Sequence, residues 1–328
     1  MIFLSIIIPC YNVEKYLPTT LQSLSNLRNK EECEFIFVND GSTDSTLDIV
    51  ESFVQQDNRS VLINQQNQGV SVARNVALDI AKGKYILCLD GDDYLHCDTI
   101  DIIKNNIFDA DALLAPCTIV TSVKEKIQQI KVPVGIYTID ELYAGNGLFP
   151  TAPMIIYRSS IIKENNIYFA PNIKSGEVYD FTVSFFVYSK RIAIIKDSFY
   201  YYVMRETSAT HMPNYKSDLS VLYILEHFSL LSAPWAVSGT FTFTALNMVL
   251  SFTYNKYMKN GLTDGITITE LSKVFNNHYF RDLFKSIQIS KLDIKYRIFI
   301  FYIKYMPLKF GYLLGACIMK IKNKLKVI

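Results

Sequence analysis

The first ninety residues alternate between short apolar runs and stretches in which apolar residues recur every three or four positions. Continuous apolar runs of strand length predict β-strands at 3–8, 34–38, 61–64 and 85–89. Helical spacing predicts α-helices at 14–27, 43–56 and 70–81. Strands that alternate with helices of this length favour βαβ crossovers, so the chain is predicted to be an α/β protein with a parallel sheet.

The fourth predicted strand ends in the sequence D-G-D-D, with Asp90, Asp92 and Asp93 around Gly91. Carboxylates this close repel one another and are costly to bury, so they need a nearby cation or strong donors. Ligands bind at the carboxyl ends of strands in open α/β sheets, and oxygen ligands suit Mg²⁺ or Mn²⁺ carrying a diphosphate. The alternative is an ordinary acidic turn in which the glycine supplies the bend.

Two other loops follow predicted strands and are expected at the same edge of the sheet. The segment P-C-Y-N at 9–12 follows the first strand, and N-D-G-S-T-D at 39–44 follows the second. The carboxylate of Asp40 can accept a hydrogen bond from the N3–H of a uracil ring. In isolation, N-D-G-S is also an ordinary turn and helix cap.

The third predicted helix opens with G-V-S-V-A-R-N at 69–75 and carries Arg74 one turn in. On a helix packed against the sheet, this arginine could reach the acidic strand end and a diphosphate. A solvated surface arginine is the alternative. The joint order of the four motifs in one α/β frame favours the ligand-binding interpretation of each.

Together these motifs resemble glycosyltransferase family 2, whose members have the GT-A fold, a Rossmann-like domain with a mostly parallel sheet; the resemblance covers residues 5–202. By this resemblance, Asp40 contacts the base of a nucleotide sugar and Asp90 reaches its ribose. Arg74 helps to hold the donor, and Asp92 binds the metal that bridges the diphosphate and neutralises the leaving group. Three further residues are expected to line the donor site: Pro9, Tyr11 and Gly91.

The resemblance continues into G-E-V-Y-D-F at 176–181. Many relatives have G-E-D-x-x-F here, and the aspartate after the glutamate is the general base that deprotonates the acceptor hydroxyl. This chain has Val178 at that position, so Asp180 and Glu177 are the candidate catalytic bases, with Asp180 narrowly preferred. Both acids could instead serve only to stabilise the first turn of a helix.

A segment after the three tyrosines at 200–202 resembles a family flap that closes on the diphosphate. Three of its residues are candidate donor contacts: Arg205, Ser208 and His211. Because a single histidine is more often structural, His211 is the weakest of these candidates.

Charge divides the chain unevenly. Residues 1–255 hold 19 Lys and Arg against 27 Asp and Glu, a net −8, whereas 256–328 hold 14 against 4, a net +10. We predict a catalytic domain at 1–212 and a smaller, mainly helical region at 213–328. The uncharged stretch 228–254 predicts buried helices rather than a membrane span, although its length alone would suffice for one.

Basic and aromatic residues are mixed over 294–328, which is typical of a segment lying in an anionic membrane interface. Packing within a C-terminal domain or a homo-oligomer interface is the alternative. No nucleic-acid motif accompanies these residues, so nucleic acid is not an expected partner. The chain does not open with a basic hydrophobic leader, which predicts a cytoplasmic protein held peripherally at the inner face of the membrane. Six scattered cysteines without a C-x-x-C pair predict reduced thiols.

The predicted function is therefore that of an inverting, metal-dependent glycosyltransferase. Its donor would be a nucleotide sugar, by default a UDP-sugar, and its acceptor a glycan or lipid-linked hydroxyl in a bacterial surface polymer such as capsule, exopolysaccharide, lipopolysaccharide or teichoic acid. A non-catalytic nucleotide-sugar-binding or scaffold protein is one alternative, which Val178 keeps open. A nucleotidyltransferase is another, but it would need a Gly-rich, basic loop after the first strand, and residues 9–12 do not provide one.

Overall fold

The computed structural model describes residues 2–121, 124–128, 130, 133–145, 155–173, 176–204, 220–230 and 277–278. Contacts divide the chain into two compact units. The first unit comprises Met1–Leu142, Leu148–Pro171 and Glu177–Ser208, and most of the second is Ala209–Ile328. The predicted boundary after residue 212 lies outside the described residues and stays a prediction.

The described residues contain twelve strands, all in the first unit. In chain order they are β1 (Leu4–Cys10), β2 (Cys33–Asp40), β3 (Ser60–Gln65), β4 (Tyr85–Cys88), β5 (Tyr94–Leu95), β6 (Ala112–Leu114), β7 (Cys117–Val120), β8 (Glu125–Gln128), β9 (Gly135–Tyr137), β10 (Ile155–Arg158), β11 (Ile192–Ile194) and β12 (Tyr200–Val203). The helices are α1 (Leu17–Ser25), α2 (Thr46–Gln56), α3 (Val70–Ile80), α4 (Thr99–Asn106), α5 (Ile139–Gly145), α6 (Ser159–Glu164), α7 (Glu177–Tyr188) and α8 (Ser220–Ser229).

Eight strands form one sheet in the order β3-β2-β1-β4-β10-β6-β11-β9. The first four are mutually parallel, as the alternation of strands and helices predicts. Strand β10 runs antiparallel to both of its neighbours, β4 and β6, and β9 runs antiparallel to β11. The mostly parallel α/β sheet is therefore confirmed.

The helices that follow β1, β2 and β3 bury one apolar face each. In α1 the buried apolar residues are Leu17, Leu21 and Leu24, which share a face because they are separated by four and three positions. Helix α1 is shorter than the predicted 14–27. Proline in the first turn suits the start at Leu17, because proline lacks an N–H that the first turn would leave unbonded.

A second sheet, in the order β5-β12-β7-β8, lies in the same unit. Its first strand begins one residue after the D-G-D-D sequence and pairs antiparallel with β12, Tyr200 opposite Leu95. Both of these residues are buried in the apolar core beside β1 and β4. The small sheet thus fixes the chain immediately after the acidic loop.

Acidic side chains at the amino edge of the large sheet are bonded to nearby protein groups. Glu34 is buried and accepts hydrogen bonds from the hydroxyl of Ser5 and the main-chain N–H groups of Lys82 and Gly83. These contacts join the starts of β1 and β2 to the loop before β4.

A second acidic group at that edge surrounds Arg158, at the end of the antiparallel strand β10. The guanidinium of Arg158 donates to Asp111 (3.1 Å) and Asp109 (3.0 Å), and Lys84 lies 3.6 Å from Asp109. Each acid of this group therefore has a cation among its neighbours.

Of the second unit, the structure describes little beyond α8, in which Ile224 and Phe228 are buried. The segment 294–328 and nearly all of 228–254 lie outside the described residues. No described helix has the combination of length and apolar character that a membrane crossing requires. Five of the six cysteines are described, all as free thiols.

Candidate active site

The loops after β1 and β2 are bonded to each other at the carboxyl edge of the large sheet. The main-chain N–H of Asn12 donates to the hydroxyl of Ser42 (3.1 Å), and that of Thr43 donates to Asn12 Oδ1 (2.8 Å). Tyr11, which the sequence predicts to contact the nucleotide-sugar donor, is half exposed beside them. The two segments that the sequence places at this edge therefore form one surface.

Asp40, at the end of β2, is buried and its carboxylate accepts three hydrogen bonds. Oδ1 accepts from Gln65 Nε2 (2.7 Å) and from the N–H of Gln68 (2.9 Å), and Oδ2 accepts from the N–H of Gly69 (2.8 Å). The carboxylate thus shapes the loop between β3 and α3. Its predicted contact with a base stays a prediction.

Gly41 follows Asp40 with a φ of 70°, the left-handed region that favours glycine. A Cβ atom at this position would lie 2.6 Å from the main-chain nitrogen of Asn67. The glycine of N-D-G-S is thus required both by its backbone conformation and by the close approach of the neighbouring loop.

Arg74 lies buried on α3 and joins two acids that are far apart in the sequence. Its Nη2 donates to Oδ1 of Asp90 (2.9 Å), and its Nη1 donates to Oε1 of Glu177 (3.0 Å). The guanidinium carbon also lies 5.2 Å from the ring centroid of Phe169, within the range of a cation–π contact. Arg74 reaches the acidic strand end as expected, and it is not a solvated surface residue.

Asn75 is a site residue that sequence reasoning missed. Its Nδ2 donates to the carbonyl of Phe169, and its Oδ1 accepts from the N–H of the same residue, both at 2.8 Å. The ring of Phe169 stacks on Phe181 of α7 at 4.0 Å between centroids. Asn75 therefore fixes the aromatic surface under Arg74 and contributes to the position of α7.

The acidic loop packs directly against the end of β1. A Cβ on Gly91 would lie 3.1 Å from the carbonyl oxygen of Pro9 and 3.3 Å from Sγ of Cys10, so a side chain here would require these neighbouring atoms to shift slightly. The buried hydroxyl of Thr20 on α1 donates to the carbonyls of Gly91 (3.0 Å) and Asp93 (2.7 Å). Pro9 and Gly91, both predicted donor-site residues, are thus in contact.

The three aspartates of the loop differ in environment. The side chain of Asp90 is 40% exposed, Asp92 is half-buried, and Asp93 is 1% exposed. Burial and the neighbouring charge of Asp90 raise the pKa of Asp93 to about 7, against the opposing effect of hydrogen bonds from Val203 and Tyr200. Burial and the charge of Asp93 raise the pKa of Tyr200 well above its usual value, so its hydroxyl stays protonated.

The two candidate bases lie in the first turn of α7. Glu177, with 16% of its side chain exposed, is paired with Arg74 and so is linked through that residue to Asp90. Asp180 is 1% exposed. The structure therefore places Glu177 in the same ion-pair network as the acidic loop and places Asp180 in the interior. Arg205, Ser208 and His211 lie outside the described residues.

A second group of metal-ligating side chains follows β5. Ligand atoms of His96, Cys97 and Asp98 lie within 4.8 Å of one another. Nδ1 of His96 accepts from the N–H of Asp98, and the Asp98 carboxylate pairs with Arg28 at 2.6 Å. Two of the three side chains thus already have protein partners.

Residues 5–165 match the family model described as glycosyl transferase family 2. The poly(ribitol-phosphate) β-N-acetylglucosaminyltransferase TarS of Staphylococcus aureus is 34% identical over 214 residues, which are 62% of this chain and 36% of that protein. The poly(ribitol-phosphate) β-glucosyltransferase of Bacillus spizizenii is 33% identical over 214 residues, 62% of this chain and 32% of that protein. The chain thus spans about a third of the length of these relatives.

A crystal structure of residues 1–349 of S. aureus TarS in complex with UDP-GlcNAc superposes with a TM-score of 0.67. The two chains are 24% identical, and the match covers 99% of this chain and 92% of the other. This likeness establishes a common fold, so the predicted GT-A architecture is confirmed.

Proposed function

This chain belongs to glycosyltransferase family 2, and we propose that it transfers a sugar from a nucleotide-diphosphate donor to a hydroxyl of a bacterial surface polymer. The observation that carries the proposal is the ion-pair network at the carboxyl edge of the sheet. Arg74 holds Asp90, beside the half-buried Asp92, and Glu177 in one cluster, and the strand carboxyl ends are where ligands bind in such folds.

The donor that we propose is a UDP-sugar carrying N-acetylglucosamine or glucose. The names of the two relatives specify these sugars, and the superposed structure contains UDP-GlcNAc. In this chain the uracil ring of the donor would lie beside Asp40 and Tyr11, at the ends of β2 and β1. The fixed loop between β3 and α3 would orient it.

A divalent cation, Mn²⁺ or Mg²⁺, fits the chemistry of the acidic loop. Asp90 and Asp92 supply oxygen ligands of the kind these ions prefer, and Asp92 is the residue that we propose to bind the metal. When bound, the ion would offset the charge of the leaving diphosphate. Arg74 supports this arrangement by fixing one oxygen of Asp90.

We propose Glu177 as the base that accepts the proton of the acceptor hydroxyl. Its Oε1 is held by Arg74, which leaves Oε2 available to the acceptor among the residues that the structure describes. Asp180, which the sequence narrowly favours, stays the alternative base although it is more deeply buried than Glu177. Attack opposite the leaving group would invert the anomeric configuration and give a β-linked product from an α-linked donor.

For the acceptor, we propose a polyol-phosphate polymer of the teichoic acid type, because the names of both relatives specify poly(ribitol phosphate). We propose separately that the basic, aromatic segment 294–328 lies at an anionic membrane surface, where a lipid-linked acceptor would be found. The net charge of +10 over 256–328, a range that includes this segment, supports this proposal.

The activity test is a screen of UDP-GlcNAc, UDP-glucose and other nucleotide sugars with poly(ribitol phosphate), in Mn²⁺ or in excess chelator. We expect UDP release that depends on metal, and faster release when the polymer is added. Donor binding without turnover would instead indicate the non-catalytic alternative. Release of pyrophosphate from UTP and a sugar 1-phosphate would indicate a nucleotidyltransferase.

The membrane proposal is tested by co-sedimentation of the full chain with anionic and with neutral vesicles. Each lysine near an anionic surface contributes about 1 kcal/mol, and salt screens that attraction. We expect binding to anionic vesicles that high salt reverses, and that is lost when Lys320, Lys322, Lys324 and Lys326 are replaced by glutamine. If the glutamine variant binds vesicles like the native protein but forms a smaller oligomer, this segment instead belongs to an interface between subunits.

A further inference from the structure

We propose that Asp93 and Tyr200 form a positioning pair that fixes the acidic loop in its metal-binding conformation, and that Asp93 is not itself a metal ligand. This inference rests on the proposed function, because it concerns how the loop carrying Asp92 is held. It assigns Asp93 a role that differs from the one proposed for its neighbour Asp92.

Both carboxylate oxygens of Asp93 are bonded to the protein. Oδ2 accepts from the hydroxyl of Tyr200 (2.7 Å), and Oδ1 accepts from the main-chain N–H of Val203 (2.8 Å). The residue is 1% exposed, whereas the side chain of Asp90 is 40% exposed. A buried carboxylate with both oxygens engaged by donors on β12 has the geometry of a structural anchor.

The hydroxyl of Tyr200 contacts both ends of the loop. It accepts a hydrogen bond from the N–H of Asp90 (3.2 Å) while donating to Asp93. The N–H of Asp93 donates in turn to the carbonyl of Asp90 (3.0 Å), which closes the turn around Gly91 and Asp92. One buried hydroxyl therefore sets the spacing between the two ends of the loop.

Pairing between β12 and β5 also holds the chain that follows the acidic loop. Tyr200 pairs with Leu95 across β12 and β5, so the chain on the far side of the loop is held by the same strand that supplies Tyr200. Thr20 of α1 bonds the carbonyls of Gly91 and Asp93 from within the core. Removing the Tyr200 hydroxyl would release the Asp90 N–H and one Asp93 oxygen together. The loop could then relax and Asp92 would lose its position.

The test compares Tyr200→Phe with Tyr85→Phe. Tyr85 is also fully buried, and its hydroxyl donates to the carbonyl of Ala110 away from the loop (3.4 Å). Binding of Mn²⁺ is measured in the presence of UDP from the electron paramagnetic resonance signal of the free ion. Residues that orient metal ligands typically change metal affinity by about 10- to 100-fold when replaced, and we expect a loss of that size for Tyr200→Phe alone. Its turnover should largely recover at saturating Mn²⁺.

Asp93→Asn and Asp92→Asn distinguish a positioning residue from a ligand and remain informative if Tyr200→Phe fails to fold. An amide at position 93 can still accept from the N–H of Val203, and its NH₂ can donate to Tyr200. The Tyr200 proton then loses its carboxylate acceptor, so Asp93→Asn should lower Mn²⁺ affinity by about 10-fold through a weakened pair. Asp92→Asn removes the proposed ligand itself and should lose far more. Equal losses in both variants would overturn the inference, as would unchanged affinity in Tyr200→Phe. If the native protein with UDP does not bind Mn²⁺, the metal-dependent function itself fails, and this inference fails with it.

Discussion

Acidic side chains are buried at both edges of the large sheet, but the protein groups that bind their negative charges differ between the two edges. At the amino edge, Glu34 is bonded to neutral donors, and Asp109 and Asp111 have Arg158 and Lys84 beside them. At the carboxyl edge, several carboxylates lie close together: Asp90, Asp92, Asp93 and Glu177. Among the residues that the structure describes, Arg74 is the cation that pairs with this group.

Burial of an acid is therefore not what marks the candidate site. Glu34 is 7% exposed and the side chain of Asp90 is 40% exposed, yet Asp90 belongs to the cluster in which Arg74 pairs with two carboxylates among the residues that the structure describes. Surplus charge of one sign is costly to keep in a partly buried position, and a bound cation removes that cost. The comparison predicts that acids of the carboxyl edge govern activity, while acids of the amino edge govern stability alone.

The largest expected effect is on the proposed base. Glu177→Gln keeps an oxygen for Arg74 but cannot accept the acceptor's proton, so transfer should fall by about 10²- to 10⁴-fold, the usual contribution of a general base. The affinity for the donor, measured by titration with UDP-GlcNAc, should stay near that of the native protein. Glu34→Gln at the amino edge is the matched control and should keep its turnover.

The same assay on Asp180→Asn decides between the two candidate bases. We expect a smaller loss than in Glu177→Gln, because Asp180 is 1% exposed. If Asp180→Asn abolishes transfer and Glu177→Gln does not, the base is Asp180. In that case the link of Glu177 to Arg74 serves only to position α7.

The next effect concerns the metal site. Asp92→Asn should lose about 10²-fold or more in turnover, on the scale of other removed electrostatic stabilisers. Asp111→Asn, from the balanced group at the other edge, should leave turnover unchanged and lower only the melting temperature. Native turnover by Asp92→Asn in excess chelator would rule out the metal site that we propose.

Much of the fold follows from local pattern. Strands β1–β4 and helices α1–α3 lie where apolar runs and helical spacing predict them, because each element is long enough to show its period. The later strands of the large sheet are only three or four residues long, too short for a period. The antiparallel insertion of β10 between β4 and β6 depends on tertiary pairing, which the sequence of these strands does not specify.

The candidate site is predictable up to the point where distant residues meet. Strand ends place Asp40 and Asp90 at one edge, and helix α3 places Arg74 near them. That Arg74 also binds Glu177, 103 positions away, depends on how α7 packs. The difference between Asp92 and Asp93 likewise depends on contacts of Asp93 with β12, about 110 residues further along the chain.

Replacing the arginine at each edge of the sheet separates the effect on stability from the effect on activity. Arg74→Met leaves Asp90 and Glu177 without their buried cation, which should lower the free energy of unfolding by roughly 3 kcal/mol and also reduce turnover. Arg158→Met removes a cation that pairs with the largely exposed Asp109 and with the mostly buried Asp111, so it should also lower the free energy of unfolding, but with turnover retained. Urea unfolding and the transfer assay measure both quantities. Equal turnover in the two variants would contradict a catalytic role for the network around Arg74.

The smallest expected effect is at Asp40, whose carboxylate shapes the loop between β3 and α3. In Asp40→Asn the amide NH₂ would face either the N–H of Gly69 or the two donors on Oδ1, so one side of the loop loses its acceptor. Because that loop would contact the nucleotide equally in the ground and transition states, KM for the UDP-sugar should rise about tenfold with kcat nearly unchanged. Asp57→Asn, an acid paired with Arg59 just before β3 at the amino edge, is the control and should leave KM unchanged. A fall in kcat at constant KM would mean that Asp40 acts on the reacting centre, and the separation between nucleotide binding and catalysis along the carboxyl edge would no longer hold.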